Sequence, residues 1–278
     1  MQDTMTHNAT SMVMTGPHLE SLLWTSRRPD QPSAWHGHVS FVHWLVSAAR
    51  PRLIVELGTE RGISYTSMCH AVAILGMNAR CYAIDTWQGD AHTGSYDDSI
   101  YEDLKAFNDT YYGGFSSLLR CLFDEALSRF ERGTIDLLHI DGLHTYEAVK
   151  HDFDTWLPKM SERGIVLFHD IAIRSGNFGV WRLWEELQQR YPSFAFAHSA
   201  GLGVLLTGAS PSSTIAALCQ VTDKEEVSNV GEAFRIFSDL ARNNGLRDME
   251  LQVLRRKIST LQGVVRRSTQ DMMAAVDG

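Results

Sequence analysis

Four short apolar runs most constrain this chain: Leu53–Leu57 (LIVEL), Cys81–Asp85 (CYAID), Ile135–Ile140 (IDLLHI) and Gly164–His169 (GIVLFH). Runs this short, bounded by turn formers such as Pro51 and Gly58, read as buried strands. Between them Ser64–Leu75, Cys121–Phe130 and Tyr146–Met160 have helical spacing. Strand and helix in alternation predict an α/β fold, a doubly wound, mostly parallel sheet covered on both faces. Upstream, Val39, Val42, Leu45 and Val46 predict a helix over Trp35–Ala49 that Pro51 ends. Downstream, Val180–Arg190 reads as a helix, and Phe194–His198 with Leu202–Leu206 as a hairpin at the sheet's far edge. Past Ser210 the strand signal stops, and Ala233–Leu240 and Leu246–Val265 read as two helices. The expected division is a flexible segment over 1–30, one domain over 31–209 and a helical appendage over 210–278.

Composition narrows the classes of partner. Of 278 residues, 44% are hydrophobic and 21% charged, enough apolar material for a sizeable core. The formal charge of −8 disfavours nucleic acid or an anionic membrane as the main partner. No apolar run approaches the roughly 18 residues of a membrane span, and no secretory leader is visible. Cys69, Cys81, Cys121 and Cys219 are scattered, without a CxxC pair, which argues against a disulfide framework or zinc site. A reduced, cytoplasmic protein is expected.

The first strand leads into Glu56-Leu57-Gly58-Thr59-Glu60-Arg61-Gly62 before a helix. Such a turn lets a ligand approach the main chain closely, but its E-x-G-x-x-x-G spacing is not the dinucleotide G-x-G-x-x-G. Glu56, in an apolar strand, needs a polar ligand or a main-chain donor beside it. Asp85 ends the second strand, where a carboxylate can accept from both hydroxyls of a ribose. Trp87 could offer its face to a flat base; alternatively Asp85 caps its loop and Trp87 is core.

The third and fourth runs end in Asp141-Gly142-Leu143-His144 and His169-Asp170. Ligands in doubly wound sheets bind at the carboxyl ends of the strands, so these four side chains are expected around one crevice. Two carboxylates suit a hard divalent ion such as Mg2+, and His144 could take a proton from a substrate hydroxyl.

Residues 30–207 resemble the class I S-adenosylmethionine-dependent methyltransferases, with a Rossmann-like fold. The D-G-x-H-x-Y-E segment from Asp141, followed by Phe168-His169-Asp170, is similar to the macrocin and sugar O-methyltransferase family (methyltransferase family 24) found with glycan biosynthesis genes. The resemblance implies S-adenosylmethionine held by Glu56, Gly58, Gly62, Ser64, Asp85, Trp87 and Asp141. It further implies His144 as base with Asp141, and a metal at Asp141, His169 and Asp170. His169 departs from the family, which carries an acid there; imidazole favours zinc, iron or nickel over magnesium. Ser33–His38 resembles the family's lead-in over the cofactor mouth, and Phe178–Trp184 its substrate-side helix, where Trp181 and Trp184 either stack on sugars or pack in the core. Residues 88–117 read as a long polar loop that sets acceptor specificity.

The expected activity is methyl transfer to a hydroxyl of a small-molecule or glycan acceptor. Two rivals stay open: a metal-dependent hydroxylase or hydrolase using His144, His169 and Asp170, and a non-catalytic partner subunit. Leu246, Met249, Val253, Leu254, Ile258 and Leu261 form an apolar stripe on a charged helix, which predicts a homo-oligomer paired through that helix.

Overall fold

The computed structural model describes residue 16 and residues 18–276, with side chains through 260 and at 262. Leu19–Leu23 and Ala34–His38 are short 3-10 helices, the second capped by the Ser33 hydroxyl, which accepts from Trp35 N–H. Helix α1 (Val39–Ala49) follows, ending where Arg50 turns left-handed ahead of Pro51. Then come β1 (Leu53–Leu57), α2 (Ile63–Ile74) and β2 (Arg80–Asp85). A two-residue hairpin, Gly89–Asp90 with Gly94–Ser95, leads to α3 (Asp98–Tyr111) and β3 (Ser116–Arg120). The chain continues through α4 (Phe123–Ala126), β4 (Ile135–Ile140), α5 (Tyr146–Trp156), β5 (Met160–His169) and α6 (Val180–Leu187). Strands β6 (Ser193–Phe196) and β7 (Leu202–Leu206) and helices α7 (Ser213–Leu218) and α8 (Lys224–Val276) complete it.

The seven strands form one sheet in the order β3-β2-β1-β4-β5-β7-β6. The first five are parallel; β7 runs antiparallel between β5 and β6. Strand residues alternate between two apolar cores, as a sheet buried on both faces requires. Ile54, Leu137 and Ile165 join α1, α2 and the start of α8 on one face; Val55, Leu138 and Val166 join α5 and α6 on the other. This is the mostly parallel sheet covered on both faces that the alternation predicted, in the Rossmann-like doubly wound form that the resemblance implied. Strand order reverses between β1 and β4, so a crevice opens at their carboxyl ends.

Three expectations need correction. Residues 88–117 are not a loop: Asp97 caps α3 through Ser99 N–H, and Ile100, Leu104 and Phe107 supply its apolar spacing. Strand β3 (SSLLR) was hidden because an edge strand needs few apolar residues. The helix read over Cys121–Phe130 shrinks to α4 and the 3-10 helix Leu127–Arg129. The two C-terminal helices are one: Gly245 lies inside α8, and a Cβ there would come within 2.5 Å of the Ser26 carbonyl oxygen. Close approach of the N-terminal segment, rather than a helix end, explains that glycine.

Ser26 N–H donates to the Ala241 carbonyl and Arg242 Nε–H to that of Pro29, and Leu22 is fully buried. Residues 18–30 therefore pack on the domain, while 1–15 and 17 of the segment read as loose lie outside the described residues. Beyond Gly245, residues 246–260 are all exposed, including Leu246, Met249, Val253, Leu254 and Ile258; the side chain of Leu261 lies outside the described residues. Among the described residues no helix is long and apolar enough to cross a membrane.

Candidate active site

A cavity of about 400 Å³ lies at the carboxyl ends of β1, β2, β4 and β5. Gly58, Gly62, Ser64 and Asp85 line one side; Asp141, His144, His169 and Asp170 line the other. The structure thus brings together eight of the residues read from the sequence and leaves Glu56 and Trp87 outside the lining.

On the first side the chain turns sharply. Gly58 has φ +82°, and its N–H donates to the Ile84 carbonyl at 2.9 Å. A Cβ at Gly58 would lie 2.2 Å from the Asp141 carbonyl oxygen, so only glycine lets the β1 and β4 ends meet. Asp85 fastens this turn: Oδ2 accepts from Thr59 N–H (2.8 Å) and Glu60 N–H (3.0 Å), and Oδ1 from Trp87 N–H (2.8 Å). A carboxylate offers about four acceptor sites. One remains open, which leaves room for one further donor rather than two.

Trp87 is a core residue. It is fully buried, donates its indole N–H to the Glu60 carbonyl at 2.9 Å and packs on Tyr101, so the base-stacking reading fails. Glu56 Oε2 is met by a side chain rather than by the main chain: His139, its register neighbour on β4, places Nδ1 2.7 Å away. Burial pushes the Glu56 carboxyl pKa up, and the hydrogen bond to His139 opposes it. The sequence did hold a signal for His139: a histidine interrupting the otherwise apolar end of IDLLHI.

On the second side, His144 Nε2 lies 2.9 Å from Asp170 and 3.5 Å from Asp141. His169 Nδ1 lies 3.3 Å from Asp141 and 3.4 Å from Asp170. The other nitrogen of His169, Nε2, meets the Ser199 carbonyl at 3.2 Å. A carbonyl can only accept, so Nε2 carries a proton and Nδ1 meets the two acids either protonated or around a shared cation. Asp170 is left-handed at φ +62°, a conformation aspartate tolerates better than most residues.

Burial works against charging His144, yet Asp141 and Asp170 outweigh it and hold the imidazole up at about 10. Burial likewise opposes ionising Asp141, but His169 and His144 keep its carboxyl far below the usual range. His169 follows His144, raised by Asp141 against its burial. The two acids thus favour the protonated form of both imidazoles.

Donor atoms of Asp141, His144 and Asp170 all lie within 4.8 Å of one another. Two acids and one imidazole in that space fit a divalent cation, and the imidazole tilts the choice from magnesium towards transition metals. This grouping differs from the two-histidine, one-carboxylate set of a hydroxylase. Phe178 stacks flat on His144, with centroids 4.9 Å apart, and His92 Nδ1 approaches His144 Nδ1 at 3.3 Å. Nothing in the polar stretch around His92 set it apart beforehand. Trp184 is buried in the core, whereas Trp181 donates to the Phe178 carbonyl and lies under Arg174.

Residues 55–171 match the family model described as a methyltransferase domain, a span running from β1 just past β5 that includes every strand end lining the cavity. An uncharacterised protein of Sinorhizobium fredii is 47% identical over 208 residues, 74% of this chain; the match spans 23% of that relative's length. A methyltransferase from Geobacter sulfurreducens is 15% identical, covering 66% of this chain and 82% of its own, with a TM-score of 0.49. An O-methyltransferase of Streptomyces achromogenes involved in tomaymycin synthesis, solved with S-adenosylmethionine, is 17% identical over 69% of this chain and 90% of its own, with a TM-score of 0.48.

Proposed function

We propose that this chain is an S-adenosylmethionine-dependent O-methyltransferase acting in the cytoplasm on a hydroxyl of a sugar or glycan. The observation that carries the reading is the shared cavity: a glycine turn with Ser64 and Asp85 on one wall, and an acid–histidine cluster on the other. The family match over 55–171 supports the transferase class. The first wall suits the cofactor, with close main-chain approach at Gly58 and Gly62 and the open acceptor site of Asp85 for a ribose hydroxyl. The second suits the hydroxyl to be methylated.

The hydroxyl oxygen attacks the sulfonium methyl carbon, the carbon–sulfur bond breaks towards sulfur, and the hydroxyl proton leaves to a base. Holding donor and acceptor in line supplies much of the acceleration. His144 is the proton acceptor in this reading, with Asp141 and Asp170 orienting its Nε2 edge and Phe178 fixing its ring plane. Because the acids hold His144 protonated at about 10, it accepts a proton only when their charge is balanced otherwise. Asp141 and Asp170, with Nδ1 of His169 as the imidazole, would hold a divalent cation there, which would supply that balance and acidify a hydroxyl while leaving His144 free to take the proton.

Calorimetric titration with S-adenosylhomocysteine, with and without divalent cations, tests the reading. Saturable binding by the intact chain is expected, retained in His144→Ala while methyl transfer falls about 10²–10⁴-fold. Absence of binding under every cation condition refutes it.

A further inference from the structure

Among the described residues, the stretch 246–260 of α8 is left uncovered by the rest of the chain. Residues 246–260 are exposed without a break, yet the helix continues to Val276. A helix standing free of its domain gains little from propensity alone and is normally held by packing of an apolar face. The exposed apolar residues divide into two sets. Leu246, Met249 and Val253 form a short set that ends at Val253. Leu251, Leu254 and Ile258, exposed at 49%, 47% and 54%, recur at intervals of three and four, and the sequence continues them through Leu261 and Val265.

Among the described side chains that second set is a heptad seam with Leu251 and Ile258 at one core position and Leu254 at the other, and the sequence repeats the spacing at Leu261 and Val265. Ile258 and Val265 at the first core position with leucine at the second follow the pattern that favours two parallel strands, from which Leu251 departs. Its direction on the helix matters too. At about 100° per residue, Phe234, Ser238, Ala241 and Gly245 share the face that packs on the domain. The seam points to the opposite side, so a second helix can reach it without meeting the domain.

Charge specifies the occupant. In a parallel pair the residue just before one first-position core residue faces, on the partner, the residue five places later. Here these are Glu250 and Arg255, so the helix is complementary to a copy of itself, twice per pair. We propose that α8 forms a parallel two-stranded coiled coil with a second copy of this chain, in register through Leu251, Leu254 and Ile258, with Glu250 facing Arg255 of the other copy.

Light scattering on the full chain tests this. The intact protein should have the mass of two chains, and Leu254→Asp with Ile258→Asp the mass of one. Both residues are exposed, so the melting temperature of the domain should not change in that variant. Glu250→Arg and Arg255→Glu alone should each weaken the dimer about tenfold, and together restore it. A one-chain mass for the intact protein overturns the proposal, as does a dimer indifferent to the paired aspartates. Failure of the double charge swap to recover the dimer overturns the parallel register.

Discussion

Replacing Gly58 with alanine should damage fold and site together, and two other glycines allow the causes to be separated. Gly58, Gly62 and Gly133 all have positive φ, at +82°, +75° and +72°. They differ in what an added methyl meets. At Gly133 it meets nothing within 4 Å; at Gly62 it meets the Leu104 side chain at 2.5 Å; at Gly58 it meets the Asp141 main chain, with the oxygen at 2.2 Å. Gly133→Ala therefore measures the left-handed penalty alone, about 1 kcal/mol. Gly62→Ala adds a clash that a flexible leucine end can relieve. At Gly58 the β1 and β4 ends must part by about 1 Å to restore ordinary contact. That strains the bonds from Asp141 N–H to Leu57 and from Gly58 N–H to Ile84, both under 3 Å. At about 1 kcal/mol for each bond, plus overpacking, Gly58→Ala should cost about 4 kcal/mol. For a domain of this size the melting temperature should fall by roughly 8–16 °C, against roughly 2–4 °C for Gly133→Ala. Differential scanning calorimetry reads the first effect. Titration with S-adenosylhomocysteine reads the second, where Gly58→Ala should lose binding and Gly133→Ala keep it. If Gly58→Ala and Gly133→Ala melt together and bind alike, the close approach of the two strand ends does not matter.

Asp85→Ala should free the Thr59, Glu60 and Trp87 amides as well as a cofactor contact, so S-adenosylhomocysteine affinity should drop at least about tenfold and the melting temperature with it; unchanged affinity would remove Asp85 from the cofactor wall. Asp152 is buried on α5, and burial raises its carboxyl to about 7. Its neutral form is thus favoured by folding. The stability it contributes is complete below about pH 4 and lost as pH rises through 7, an amount of about 2–4 kcal/mol. Asp152→Asn should remove that part of the pH dependence, which denaturant titrations at pH 4, 5.5 and 7.5 would detect; parallel curves for both proteins would contradict it. His43 is fully buried with neither ring nitrogen bonded, and burial lowers its pKa to about 3. Its folded pKa being depressed, stability is full above about pH 6.5 and falls towards pH 3. His43→Leu should raise the melting temperature most at acid pH, and a uniform change across pH would show that the buried imidazole is not responsible.

The sheet was legible because strands buried on both faces are written as unbroken apolar runs. All four such runs became parallel strands with at most a few residues' change at the ends. Strand β3 and helix α3 were missed for the complementary reason: at the sheet edge, one face near solvent leaves a mostly polar text. Within the site, Asp141 and Asp170 could be located because each follows a strand, His169 because it ends one, and His144 because it lies in the short loop after β4. What their side chains do was less visible. The role of Asp85 in fastening the glycine turn depends on three amides, and no side-chain pattern encodes amides. The burial of Trp87 depends on α3, the helix that had been read as loop.

Glu56 and His139 have a consequence for how the chain finds this structure. Their pairing puts a polar couple at one rung of an otherwise apolar central ladder. Sliding β4 along β1 by two residues keeps every side chain on its proper face, so apolar packing alone distinguishes such slips weakly. It would, however, leave Glu56 facing leucine or another carboxylate, either of which is costly in a dry interior. The couple thus works as an alignment key, giving up some stability to penalise misassembled intermediates. Two residues further on, the same alignment lays Gly58 against Asp141. The key cut into the sheet's centre therefore decides where the two walls of the cavity meet.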